Sequence, residues 1–349
     1  MDANATPPPP KKLKRRRGCL FYVGRGLLLI VIGVVVLLLL GTAYQAVALE
    51  MDKTNYPPPG QLYDVNGHQM HINCMGEGET TVVLQAGGAA DGLWWYWVQN
   101  QLAQQTRVCA YDRAGYGWSE PTTDARETLT IIEELHTLLE QAGISAPYVM
   151  AGHSYGAVFT RIYAAQYPDE VVGIVLVDSA VLLPDHFADQ AEFDQWQAQW
   201  QGAHTVFQWL MRVGIARLVD PSQFQAAGYP SEVSAEITAM NARNQVIDTD
   251  FAEVVTGYWT LVDAAATAEN LGDLPMVVLW ASETIAAFDA NIPGFSEARA
   301  EIATYSTNIT VRVIEGAGHT SVLGNEQYAQ QVTDAIVDVM AAQTGEPLE

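Results

Sequence analysis

The chain has little cysteine, few basic residues beyond its first fifty positions, and no internal repeat. Three cysteines in 349 residues, Cys19, Cys74 and Cys109, are too few for the dense disulfide framework of a small secreted domain. No Cys or His cluster has metal-ligand spacing, so neither a metal nor another cofactor is expected. The missing repeat excludes solenoids and propellers. Seven of the 17 Lys and Arg lie within residues 1–50 beside only Asp2 and Glu50, which leaves 10 basic against 38 acidic residues and a formal charge of −28 for the rest. Such a field repels phosphate backbones and anionic headgroups, so neither nucleic acid nor an anionic membrane surface is expected as a partner of the main domain. Its plainest meaning is a solvated surface that keeps the domain soluble.

What is present is an ordinary globular composition, 49% hydrophobic and 16% charged, preceded by a different kind of segment. After a proline-rich start and a basic cluster at residues 11–17, residues 26–49 run for 24 positions without a charge. At about 1.5 Å per residue they reach about 36 Å, enough to cross a hydrocarbon core of about 30 Å. The run is apolar on every face, unlike a buried core helix. Residues 1–25 read as a cytoplasmic basic tail, 26–49 as a transmembrane anchor and 50–60, with Tyr56-Pro57-Pro58-Pro59-Gly60, as a stiff linker. Ala46-Val47-Ala48 also has the form of a signal-peptidase site, so a cleaved signal is the alternative. Both readings place the remainder outside the cytoplasm, and the first gives it a membrane partner through the N-terminal helix.

From residue 61 onward, short β-branched runs alternate with helical patterns, the signature of an α/β fold with a mostly parallel sheet. Eight strands are expected at 62–65, 69–74, 81–85, 108–111, 148–151, 173–177, 276–280 and 310–314. A helix at 128–142 would place Leu129, Ile132, Leu135 and Leu139 on one face, and another closes the chain at 332–340. Almost a hundred residues separate the sixth and seventh strands, too many for a structureless crossover. They carry Trp196, Trp200, Phe207, Trp209, Phe224 and Trp259, so residues 180–272 read as a helical cap whose aromatic residues wall a substrate cleft. The core is then 61–179 and 273–342.

One motif carries chemistry. Gly152-His153-Ser154-Tyr155-Gly156 follows an apolar strand and opens a helix at 157–167. A serine at so sharp a turn is forced into a strained backbone conformation that lifts its hydroxyl above the sheet. The Tyr155 amide, at a helix N-terminus, can donate to a developing oxyanion. His319, between Gly318 and Thr320 just after the last strand, is the candidate base. Gly87 and Gly88 allow close backbone approach, which makes the Gly88 amide the second oxyanion donor. Asp112 and Arg113, beside a glycine turn, read as fixing loop geometry, and His153 as facing away from the relay.

These segments resemble the α/β-hydrolase superfamily across residues 62–340, in particular its cap-bearing haloperoxidase-like and lipase-like esterases. Val82-Val83-Leu84-Gln85-Ala86-Gly87-Gly88 is similar to the strand and oxyanion loop, with Ala86 where a histidine is usual. Asp112-Arg113-Ala114-Gly115-Tyr116-Gly117-Trp118-Ser119 matches D-x-x-G-x-G-x-S, and Ile314-Glu315-Gly316-Ala317-Gly318-His319 matches the segment that delivers the catalytic histidine. The resemblance implies acyl transfer through Ser154, His319 and an acid, on a small or lipid-like acyl substrate. It links the epoxide hydrolases and dehalogenases of the superfamily to an aspartate nucleophile instead. Aminopeptidase, amidase or perhydrolase activity on the same triad is the runner-up, and a non-catalytic membrane-tethered binding protein is the rival from another class.

Most relatives carry the acid after the seventh strand in a G-x-x-D pattern, but here Ala281-Ser282-Glu283-Thr284 puts threonine there. Haloalkane-dehalogenase-like members carry it after the preceding strand, where Asp178 follows Val175-Leu176-Val177. Asp178 is therefore chosen ahead of Glu283 and Asp289. The family sheet also sets its second strand beside its fourth, which brings Cys74 and Cys109 near each other, as a disulfide or as two buried thiols.

Overall fold

The computed structural model describes residues 19–183, 190–215, 217, 228–343 and 348; the basic cluster at 11–17 and Phe224 lie outside the described residues. The first helix, α1 (Cys19–Asn55), is longer than the apolar run. Its residues 21–40 are exposed on all faces, as a membrane-spanning helix requires, but its last turns pack on the rest of the chain. Gln45 and Asp52 are buried there, and Arg217 bridges them through Gln45 Oε1 at 2.7 Å and Asp52 Oδ2 at 2.5 Å. The expected linker at 50–60 is thus corrected: residues 50–55 continue the helix, because burying Asp52 against Arg217 favours order over a free spacer.

The sheet follows, with β1 (Gln61–Val65), β2 (His68–Met75), β3 (Thr81–Gln85), β4 (Arg107–Tyr111), β5 (Tyr148–His153), β6 (Val171–Val177), β7 (Met276–Ala281) and β8 (Ile309–Ile314). Their order is β1-β2-β4-β3-β5-β6-β7-β8, antiparallel at β1/β2 and β2/β4 and parallel elsewhere. All eight expected strands are present, shifted by no more than two residues at either end. The fold is therefore α/β, with the expected eight-stranded, mostly parallel sheet.

The side-chain period of two divides the sheet residues between two cores. Val83, Met150, Ile174 and Val278 face α3 (Thr128–Gln141) and α4 (Tyr155–Gln166), while Val82, Val149, Val175 and Val277 face the other helical layer. Each such side chain, fully buried, contributes about 1.5–3 kcal/mol. That second layer holds α2 (Tyr96–Leu102), which follows the turn Gly92–Trp95, and the last helix. In α3 the buried face is Ile131, Ile132, Leu135, Leu138 and Leu139, and Leu129 is exposed instead, because it lies in the first turn outside that stripe.

The insertion is helical, with α5 (Gln190–Arg212), α6 (Ser231–Asn241), α7 (Asn244–Asp250), a π-helical turn at Phe251–Thr256 and α8 (Tyr258–Ala266). The core resumes with α9 (Ser282–Asn291), α10 (Phe295–Ile302), α11 (Ser321–Gly324) and α12 (Glu326–Ala342).

Antiparallel pairing sets Cys74 directly opposite Cys109, and the two are joined as a disulfide. Closing a loop of sequence separation 35 stabilises the fold by about 4 kcal/mol in the chain-entropy picture. Alkylation without reductant should leave both cysteines unmodified, and a Cys74→Ser/Cys109→Ser variant should melt at lower temperature and lose about 4 kcal/mol of unfolding free energy. Equal melting points would show that the bridge contributes nothing.

Candidate active site

Strand register determines which residues meet. β5 and β6 pair in parallel with His153 opposite Val177, so the next residues of each strand, Ser154 and Asp178, emerge side by side at the carboxyl end of the sheet. This is where an open parallel sheet presents its crevice. Both leave their strands with positive φ, 55° at Ser154 and 43° at Asp178, a conformation that turns each side chain sharply out of the sheet. The Ser154 turn is held by its own N–H donating to Val177 O at 3.1 Å and by its carbonyl accepting from Ala180 N–H at 3.1 Å. It also requires its flanking glycines: a Cβ on Gly152 would strike the Gly156 carbonyl, and one on Gly156 would strike the Gln85 carbonyl.

His319, five residues beyond the end of β8, closes the constellation. Its Nε2 is 3.0 Å from Ser154 Oγ and its Nδ1 is 2.7 Å from Asp178 Oδ2. A carboxylate only accepts, so Nδ1 carries the proton and Nε2 is left as the acceptor for the serine hydroxyl. Asp178 is fully buried yet saturated, receiving Ala281 N–H at 2.9 Å on Oδ1 and Thr284 hydroxyl at 2.7 Å on Oδ2. Burial pushes its carboxyl upward, but the His319 bond and charge, with those two donors, outweigh this and hold it below the usual aspartate value.

The other candidates fall elsewhere. Glu283 is exposed beside Gly318, and Asp289 pairs with Arg299 at 3.6 Å. Asp112 accepts from Gly92 N–H, Trp118 N–H and His71, and so fixes its own loop. His153 contributes more than expected: its Nε2 donates to the His319 carbonyl at 2.8 Å and its ring lies 4.6 Å from that of His319. Burial, then the neighbouring His319, lower its pKa to about 3, so it is a neutral prop beneath the imidazole. Of the cap aromatics, Trp196 and Trp259 pack with Phe193 and Tyr258, whereas Trp200, Phe207 and Trp209 are exposed instead of facing a cleft.

The loop after β3 lies against the serine, since a Cβ on Gly87 would come within 3.0 Å of Ser154 Cβ. Arg113 grips this loop, donating to Ala86 O at 2.6 Å and to Gly87 O at 2.7 Å. In a trans peptide the C=O and the following N–H point opposite ways, so anchoring the Gly87 carbonyl fixes the direction of the Gly88 N–H. Arg113 is held by Glu253 at 3.1 Å, and Glu253 also receives Arg126 at 2.9 Å and the Tyr116 hydroxyl at 3.1 Å. Arg126 in turn reaches Glu134 at 2.7 Å. These four charged side chains are each at most 5% exposed and neutralise one another. Asp250, one turn earlier in the cap, lies over Gly88 and accepts from Ala89 N–H, at a residue with φ of 49°. Sequence reasoning missed Glu253 and Asp250, because two acids three apart in a helical insert carry no pattern that marks them.

A cavity of about 1060 Å³ lies between the end of α1, residues 121–127 and the cap, and Ser154, Tyr155 and Gly88 do not line it.

A sequence model of the family described as alpha/beta hydrolase fold matches residues 80–326. An AB hydrolase superfamily protein of Gibberella zeae is 35% identical over 120 residues, 32% of this chain and 37% of that protein. The first curated relatives are matched over only 28–48% of their own length. An epoxide hydrolase solved without ligand superposes with TM-score 0.62 at 19% identity, covering 81% of this chain and 98% of that one. A thermophilic esterase from Thermogutta terrifontis superposes with TM-score 0.60 at 21% identity, covering 81% and 99%.

Two stability effects follow from the ion network. Glu253→Ala leaves buried Arg113 without its carboxylate and should cost about 3–5 kcal/mol in urea titrations of the detergent-solubilised protein. Asp250 behaves oppositely: burial, then Glu253, raise its pKa from 3.8 to about 6. The folded state therefore holds a proton that the unfolded state has lost between about pH 4 and 6, and wild type loses stability as pH rises through that window. Asp250→Asn does not titrate, so its stability relative to wild type should rise by about 3 kcal/mol from pH 4 to pH 7; a constant difference would contradict the assignment.

Proposed function

The chain belongs to the alpha/beta hydrolase fold family, and we propose that within it the protein is a serine hydrolase that forms an acyl-enzyme on a small or lipid-like ester. The observation that carries this reading is the residue at position 154. Attack by a serine on an epoxide would leave an ether with no carbonyl for water to attack, whereas attack on an ester leaves an acyl-serine that water can open. Of the two chemistries named among the structural neighbours, only the second can turn over on this side chain.

In the proposed cycle Ser154 Oγ attacks the carbonyl carbon as its proton passes to His319 Nε2, while Asp178 stabilises the imidazolium through Nδ1. The N–H groups of Gly88 and Tyr155 hold the tetrahedral oxyanion. That of Tyr155 opens α4 and has no carbonyl one turn earlier to receive it. His319 returns the proton to the departing alkoxide, then takes one from water, which attacks the acyl-serine; the acyl–Oγ bond breaks, the acid leaves, and His319 gives that proton back to Ser154 Oγ. Thr284, standing where most relatives carry the acid, is assigned to bracing Asp178, an arrangement supported by the 2.7 Å hydrogen bond between them.

The reading includes a single crossing by α1 with the N-terminus in the cytoplasm. It is supported by the exposed apolar face of residues 21–40, by the basic cluster before it, and by a disulfide suited to an oxidising compartment.

A fluorophosphonate probe should label wild type on Ser154 and leave Ser154→Ala unlabelled. With short-chain p-nitrophenyl esters, Asp178→Asn should lower kcat by about 10⁴-fold, while Glu283→Gln and Asp289→Asn stay near wild type. Wild type that neither labels nor hydrolyses any ester or amide of a broad panel would favour the binding-protein reading.

A further inference from the structure

The cap bears an exposed apolar face at the place where it meets α1. Val206, Trp209 and Ile215 are 41–61% exposed; Val206 and Trp209 lie on the side of the second half of α5 that faces away from buried Phe193 and Met211, and Ile215 follows just beyond the helix. Residues 195–211 carry no Asp, Glu, Lys or Arg, in a domain that elsewhere is strongly acidic. Solvated helices of such a domain carry its charge on the outward side, so an outward side that shows Val206 and Trp209 and no acidic residue points to another environment.

The contacts with α1 say which one. The end of α5 rests on the apolar run, with the Val213 backbone against Gly41 and Gly214 against the Tyr44 ring. Residues 26–44 of α1 are uncharged and span about 28 Å, close to a hydrocarbon core of about 30 Å. Gln45, whose amide donates to Ala242 O at 2.9 Å, then marks the boundary, and Gly41 lies about 6 Å inside it. A helix ending against Gly41 is at the depth of interfacial amphipathic helices, about 5–10 Å into the headgroup and acyl boundary. Trp209 suits that level, and the Arg212 guanidinium, 5.8 Å from its ring, can reach lipid phosphates from it.

We propose that the second half of α5 is a membrane-embedded face of the cap, inserted into the extracytoplasmic leaflet beside α1. The occupant is bilayer lipid, continuous with the lipid around α1. This rests on the reading of α1 as a membrane-spanning anchor and adds a second contact that the anchor alone does not require. It places the cap of the proposed hydrolase at the lipid surface, where acyl substrates of low aqueous solubility reside.

The test uses the full chain with Cys19→Ser in phosphatidylcholine vesicles, with single nitroxide labels introduced through Leu38→Cys, Val206→Cys, Trp209→Cys or Asp334→Cys. Power saturation by oxygen against an aqueous nickel chelate reports the depth of each label. Labels at 206 and 209 should favour oxygen, as at 38 but less strongly, while the label at exposed position 334 on α12 should favour nickel. If 206 and 209 behave like 334 while 38 is in lipid, the proposal is overturned and the anchor stands. If 38 itself is aqueous, the anchor reading fails and takes the proposal with it. Spin–spin broadening at 206 and 209 that vanishes on dilution with unlabelled protein would show a second copy on this face and overturn the proposal equally. All three lipid-side positions are exposed, so the labels displace no core; agreement between 206 and 209 guards against a defect local to one.

Discussion

The parallel register between β5 and β6 is the constraint from which the rest of the site follows. A slip of one residue would send every side chain of one strand to the opposite face, and nearly all of these positions are buried on both sides. The pairing is therefore fixed by the cores above and below it. Once it is fixed, residues 154 and 178 leave neighbouring strands at the same height, and the positive φ at each turns its side chain out at the crevice. His319 has only to arrive from β8, two strands further along the sheet, to stand between them.

The second dependency runs through charge. Removing four charged side chains from water is expensive, and one Arg113 or one Glu253 alone would be strongly destabilising in this interior. They are tolerated because Arg113, Glu253, Arg126 and Glu134 pair with one another through hydrogen bonds of 2.7–3.3 Å. The arrangement ties a cap residue to the carbonyls of Ala86 and Gly87, so the direction of the Gly88 N–H is set partly by a segment far away in sequence. Ala86 also explains itself here. Where relatives carry a histidine before the two glycines, this chain has a small side chain, and its backbone carbonyl is taken by Arg113.

How far this was legible in sequence differs between kinds of feature. The strands and the serine turn were readable because local rules govern them, period-two burial in one case and glycines flanking a forced turn in the other. Asp178 was reachable only by comparing two family patterns. The residue that accounts for the choice, Thr284, looked like a gap, since a threonine hydroxyl braces a carboxylate only when the fold brings it to 2.7 Å. Glu253, Asp250 and the supporting role of His153 were not legible, because each depends on a contact across more than 100 residues of sequence or across the cap. The aromatic cap misled for a related reason: composition reveals that rings are present but not whether they turn inward, and Trp200, Phe207 and Trp209 do not.

The junction of α1 with the cap bears on how a domain joined to a long apolar helix is oriented. A disordered ten-residue tether spans a root-mean-square distance of about 17 Å and would let the crevice face any direction. Here the helix runs without a break to Asn55, Arg217 bridges Gln45 and Asp52, and the Trp118 indole donates to Tyr56 O at 2.9 Å. The chain then enters β1 after a short proline stretch. Each of these contacts removes a rotation between the apolar helix and the sheet. With α1 across a bilayer, the carboxyl ends of the strands, and with them Ser154, would hold one orientation to the lipid surface. An enzyme meeting small soluble esters gains nothing from that orientation, whereas one meeting acyl chains held in a bilayer gains an approach direction without a search.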